Sequence, residues 1–168
     1  MSELSWIKEA RKHIGLREAK GSNNNPLILG WLKSLKAWWA NDSTPWCGVF
    51  TAECLRVGAR ALPKHWYRAS DYLNWGTRLD APCYGCIVVF TRTGGGHVGF
   101  VVGEDRRGNL MVLGGNQSDA VSIAPFNVGR VSGYRWPPSA TGAAMSPSPE
   151  RYKLPILQSD GRVSNNEA

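Results

Sequence analysis

The chain has 168 residues, of which 20 are Lys or Arg and 13 Asp or Glu, giving a formal charge of +7. That length holds one domain with a real core and leaves room for a tail. No stretch approaches the run of apolar residues a bilayer-spanning helix needs, and no Lys/Arg block stands out. The charge therefore reads as a spread basic surface, suited to anionic polymers.

Taken in chain order, MSELSWIKEARKHIG has no apolar signal core and no small-residue cleavage site. The expectation is a protein made in the cytoplasm that needs something else to deliver it if it acts beyond the membrane. Trp6, Ile7, Ala10 and Ile14 repeat at helical spacing over residues 3–14, and Gly15 stops the pattern. GSNNNP (21–26) reads as a loop, with Asn25 before Pro26 capping a helix over 27–36. Residues 40–46 form a second loop and 47 to about 61 a helix; RASDYLNWG reads as a short helix ending at Gly76.

After Pro82 the texture changes to short β-rich runs: CIVVFT, HVGFVVGE, NLMVLGG, AVSIAPF and RVSGYRW. DRRGN (105–109) joins two of them as a hairpin turn. The fold class is α+β, with N-terminal helices packed on one face of an antiparallel meander. The domain spans 1–137. Residues 138–168 read as a Pro/Ser/Ala-rich linker followed by a flexible tail, with one apolar patch at Leu154–Leu157 that makes a docking peptide the alternative.

The chemistry centres on PWCGVF (45–50). Thr44 or Pro45 precedes the first helical turn, which places Cys47 in it. There the dipole and unpaired N–H groups favour a thiolate and an oxyanion. Gly48 leaves space for a substrate carbonyl. His97, after three glycines and at a strand start, is the candidate base; His13 reads as surface and His65 as a weaker base in a loop. Antiparallel pairing around DRRGN brings Asn116 beside His97, where its side-chain carbonyl can accept a ring N–H. Cys54, two turns after Cys47, reads as core. Cys83 and Cys86 form a C-x-x-C without the further ligands zinc requires, and they stand at a strand entry rather than a helix start. No metal or other cofactor is expected; a disulfide between them after release into an oxidising space is left open. Most of the eight tryptophans read as packing. A groove for a glycan or peptide is the alternative for a few, with Trp46, His65 and Trp66 as candidate substrate-binding residues and Tyr67 and Asn23–Asn25 beside them.

PWCGVF, GHVGFVVG, LGGNQSDAV and GYRWP, in that order over residues 5–137, resemble the CHAP-type cysteine, histidine-dependent amidohydrolases/peptidases. These are NlpC-like enzymes of the papain-like superfold, and the similarity is strongest to a subgroup found in phage lysis proteins and bacterial wall hydrolases. The resemblance implies Cys47 as nucleophile, His97 as general base and acid, and Asn116 as third member. Many relatives carry a Glu two residues before the Asn, where this chain has Gly114. They also carry Gly-Asp at the first strand, where this chain has Gly85-Cys86.

The resulting expectation is a monomeric, endolysin-like peptidoglycan hydrolase acting on the wall after release, with peptidoglycan and not nucleic acid as its partner. Whether it cuts the muramoyl–alanine amide or a peptide bond stays open, as does a secreted antibacterial effector. A non-catalytic wall-binding module and a nucleic-acid binder are the readings from other classes.

Overall fold

The structure, a computed structural model, describes residues 2–19, 24–41, 45–92, 95–159 and 163. Three α-helices come first: α1 (Ser5–Lys12), α2 (Pro26–Ser34) and α3 (Cys47–Val57). A 3₁₀ turn (Ala69–Asn74) follows, then strands β1 (Thr77–Leu79), β2 (Ile87–Arg92), β3 (Gly95–Glu104), β4 (Leu110–Gln117), β5 (Ala120–Phe126) and β6 (Val131–Trp136).

The cap expected for α2 is present. The Asn25 side chain accepts from the N–H of Leu27 at 2.8 Å and of Ile28 at 3.4 Å, and Pro26 opens the helix. Helix α1 ends earlier than the apolar spacing implies, because Ile14 lies beyond it and half exposed. Helix α3 ends at Val57 instead of near 61; Ala59 turns into the left-handed region at φ 59°. Residues 47–55 of α3 are buried without a break. A helix with no solvent face belongs in the centre of a fold. Here α1 and α2 pack on one side of α3, and β3 and β4 on the other. Phe50 bridges them, 5.6 Å from the Trp31 ring and 6.5 Å from Phe100.

All strand pairs are antiparallel, in the order β1-β6-β2-β3-β4-β5. The meander expectation holds from β2 to β5. The closing strand instead returns across the sheet and slots between β2 and β1, a short strand absent from the sequence reading. Hydrophobic alternation marks each strand but carries no information about its partner, so this crossover was not legible. RASDYLNWG is a 3₁₀ turn, not an α-helix, and ends at Asn74.

The larger correction concerns residues 138–159. Read from composition as a flexible linker and tail, they retrace the domain with specific bonds. The Ala61 N–H donates to Ser139 O, the Thr77 hydroxyl to Met145 O and the Tyr84 N–H to Arg151 O. Ile156 pairs in parallel with Glu104: the Glu104 N–H donates to Pro155 O at 3.0 Å and the Leu157 N–H to Glu104 O at 2.8 Å. Leu154 and Leu157 pack on the core. Gly103 makes this possible, since a Cβ there would lie 2.7 Å from Pro155 O. A Pro/Ser-rich composition lowers the tendency to form regular structure but does not prevent docking once a surface supplies partners.

The Asp105 carboxylate ties the hairpin turn to this returning segment. Its Oδ1 accepts from the N–H groups of Arg107 and Asn109, and its Oδ2 from the Asn109 side chain and the Ser159 hydroxyl. Desolvation pushes its pKa up, but these bonds outweigh it and hold the group at about 2. A folded pKa below the unfolded value stabilises the protein above about pH 4. That contribution is lost as pH falls towards 2. Asp105→Asn is therefore expected to lower the melting temperature at pH 7 and to flatten the acid slope between about pH 4 and 2, as thermal melts across that range would read.

Candidate active site

Cys47 is the first residue of α3, 5% exposed, and the residue before it, Trp46, gives the helix no side-chain cap. The Cys47 carbonyl accepts the Thr51 hydroxyl at 2.8 Å, one turn on. Thr44 lies outside the described residues. The thiol opens on a cleft of about 400 Å³, walled by Pro45, Tyr67, Arg68, Phe90 and Gly96 among others. Gly96 immediately precedes His97, so the cleft brings the helix start and the His97 strand together.

Gly48 is explained differently from the sequence reading. A Cβ there would lie 2.7 Å from Trp66 O and 2.9 Å from Tyr67 O. The backbone of 66–67, not a substrate carbonyl, occupies the space. Tyr72 fixes this crossing, its buried hydroxyl donating between Trp66 O (2.8 Å) and Gly48 O (3.1 Å). The close approach sets Tyr67 and Arg68 as the cleft wall.

His97 is fully buried and paired with Phe90 across β2–β3. Its ring stacks on Phe126 at 5.3 Å and 6°, and Phe126 stacks in turn on Phe90 at 4.5 Å. These contacts fix the plane of the imidazole. Its rotation is set by a bond at 3.0 Å between His97 Nε2 and Gln117 Oε1. Gln117 Nε2 faces only acceptors or a hydroxyl: Val112 O (3.2 Å), Ser122 O (2.9 Å) and Ser122 Oγ (3.1 Å). The amide nitrogen must donate there, so Oε1 is the acceptor and His97 Nε2 carries the proton. The network thus assigns the Nε2–H tautomer, with the lone pair on Nδ1.

Asn116 was expected in that role, and the structure gives it to the next residue. Regular pairing of β4 with β5 breaks between Gly114 and Gln117, and Asn116 turns left-handed at φ 59°. One extra residue in β4 moves the side that faces His97 from Asn116 to Gln117, although both side chains are buried. Gly114 completes the exchange. A Cβ on it would lie 2.4 Å from Gln117 Oε1 and 3.3 Å from His97 Nε2. The position where relatives carry Glu is here the empty space that the Gln117 carboxamide fills. The signal was present in GGNQ, but only a bulge makes it readable.

The other candidates separate cleanly. Trp46 is core, 1% exposed, with its indole N–H donating to Glu18 Oε1 at 2.9 Å. Trp66 stacks behind Trp39 at 5.9 Å, and His65 Nδ1 meets the Tyr67 hydroxyl at 3.2 Å; neither lines the cleft. Asn23 lies outside the described residues and Asn25 is consumed by its cap. His13 is not on the open surface as expected; it is paired with Glu9 at 2.9 Å and set edge-on to Trp31. Burial pushes the Cys54 thiol well up, with Glu9 and Glu53 adding to it. Cys83 and Cys86 are both buried free thiols, with the Cys83 N–H 3.5 Å from Cys86 Sγ. Burial, then Cys83, pushes the Cys86 thiol well up. Among the described residues no group of three or more His, Cys, Asp or Glu is placed to hold a metal.

Residues 39–116 match the family model of the CHAP domain. This segment is a CHAP domain. It contains Cys47 and His97 and stops one residue short of Gln117. CHAP domains are typically cysteine- and histidine-dependent amidohydrolases or peptidases of peptidoglycan, and the mixed α and antiparallel β architecture agrees with the family's papain-like fold. No curated protein matches the chain.

Two substitutions check this geometry. Gln117→Ala should cost this CHAP domain about 10²-fold in kcat on a cell-wall substrate, whereas Asn116→Gly, which suits the left-handed backbone, should stay within about threefold. Gly48→Ala should lower stability by about 1–3 kcal/mol by overpacking the 66–67 backbone, read as an earlier urea midpoint.

Proposed function

We propose that the protein hydrolyses an amide bond of peptidoglycan by a thiol mechanism, with Cys47 as nucleophile, His97 as general base and acid, and Gln117 in place of Asn116 as the residue that orients the imidazole. The observation that carries this reading is the tautomer. Gln117 holds the proton on Nε2, so the basic nitrogen is Nδ1, on a ring whose plane is fixed beside the cleft that receives the thiol.

The steps follow from that assignment. The Cys47 proton passes to His97 Nδ1, and the helix N-terminus favours the resulting thiolate. Sulfur attacks the carbonyl carbon, and the oxyanion forms near the N–H groups of the first turn of α3. The imidazolium returns its proton to the leaving nitrogen as the C–N bond breaks, which leaves a thioester. Water gives a proton to Nδ1 and attacks the thioester, releasing the acid and restoring the thiol. Arg68 in the cleft wall and the overall charge of +7 favour an anionic substrate. An endolysin-like role, with action on the wall after release from the cytoplasm, belongs to the same proposal; its support is the order of the four motifs.

Mass spectrometry of fragments released from purified sacculi tests the reaction. Wild type should create new free amino groups on the wall peptides, with masses that name the bond, and Cys47→Ala should create none. Equal release by both would rule out Cys47 as the nucleophile. Release by neither would turn the reading towards a binding module.

A further inference from the structure

Beside the cleft lies a second cavity of about 210 Å³, walled by Trp38, Trp39, Asn41, Pro45 and Tyr67. We propose that it is a subsite for one sugar ring of the glycan strand. The proposal rests on the peptidoglycan reading and extends it by placing the glycan next to the thiol.

Trp38 is 86% exposed, an unusual position for the largest apolar side chain. Its ring stands at 69° to Trp39 with centroids 5.1 Å apart, so the two indoles form a corner rather than a flat patch. The corner is braced from behind. Trp39 stacks on Trp66, and Tyr67 meets it edge-on at 5.6 Å with its hydroxyl held against His65. Contiguous aromatic surface rimmed by a polar group is the lining expected of a ligand groove.

The chemistry of the corner selects the occupant. Indole faces are electron-rich and receive polarised C–H bonds, which one face of a pyranose presents, while its hydroxyl rim suits the Asn41 amide. An extended peptide needs a row of backbone donors and acceptors. The sheet's outer strands are β1 and β5, and among the described residues no strand residue lines this cavity. The volume, about 210 Å³, falls below that of pockets for drug-sized ligands, so the occupant is small. Pro45 and Tyr67 line both this cavity and the cleft of Cys47. A ring on the tryptophans therefore lies one wall away from the thiol, and the amide delivered there is one close to the glycan.

The test uses the Cys47→Ala variant of the whole 168-residue chain, titrated calorimetrically with an N-acetylglucosamine oligomer and with a stem tripeptide that carries no sugar. Trp38→Ala, at an exposed position, should weaken the oligomer about five- to tenfold and leave the tripeptide unchanged. With the catalytic thiol intact, wild type should cleave a disaccharide-peptide faster than the free peptide, and Trp38→Ala should erase that preference. Unchanged oligomer affinity, equal losses on both ligands, or a Trp38-dependent self-association would overturn the subsite. Sugar binding without any release from sacculi would leave the subsite standing and remove the hydrolase reading. Hydrolysis without sugar binding would do the reverse.

Discussion

Helix α3 has no solvent face over its first nine residues, and much of the rest follows from where that leaves its N-terminus. A helix enclosed by α1, α2, β3 and β4 cannot slide or rotate without disturbing several layers of close-packed side chains. Its first residue is consequently a fixed point. The 66–67 backbone crosses Gly48 at a distance no side chain would permit, and Tyr72 bonds both sides of the crossing. The wall of the cleft, with Tyr67 and Arg68, is thereby tied to the same helix that carries the thiol.

The histidine side of the site is held by different physics. Its ring is one layer of an aromatic stack with Phe126 and Phe90, and Arg130 lies over the two phenylalanine rings at 5.7–5.8 Å. Stacking sets the plane, but a hydrogen bond is needed to choose a tautomer. Gln117 supplies it because its own amide nitrogen is occupied by β4 and β5 carbonyls and a serine hydroxyl. A neutral carboxamide orients the ring as a carboxylate would, without placing a buried charge beside the imidazole. The missing Cβ at Gly114 is the other half of that arrangement, so Gly114 and Gln117 act as one unit.

The returning C-terminal segment covers surfaces that the helices and the sheet leave open. It pairs with the end of β3 through Glu104, covers Gly103 and reaches the Asp105 turn through Ser159. It also passes the buried Cys83–Cys86 corner, where Arg151 O takes the Tyr84 N–H and Trp6 donates to Gly85 O. The C-x-x-C pair thus sits inside a joint between the N-terminal helix, the first long strand and the tail. Burial there keeps both thiols away from the surface.

Local features were legible from the residues alone. Helical spacing, the Asn25-Pro26 cap and the DRRGN turn are decided by neighbours a few positions apart, and so were found in place. The approach of Cys47 to the His97 strand also followed, because one helix start and one strand start mark it. Three matters depended on contacts distant in sequence. The slot taken by β6 is chosen by sheet packing, not by its own alternation. The choice of Gln117 over Asn116 turns on one irregular residue in β4, and a one-residue shift reverses which side chain faces the imidazole. Composition assigned residues 138–159 to a flexible tail, because it counts apolar residues and not the partners waiting on the domain. The tryptophans divide by the same rule. Trp46 is enclosed by Trp31 of α2, Gly115 of β4 and Glu18, whereas Trp38 stands in water.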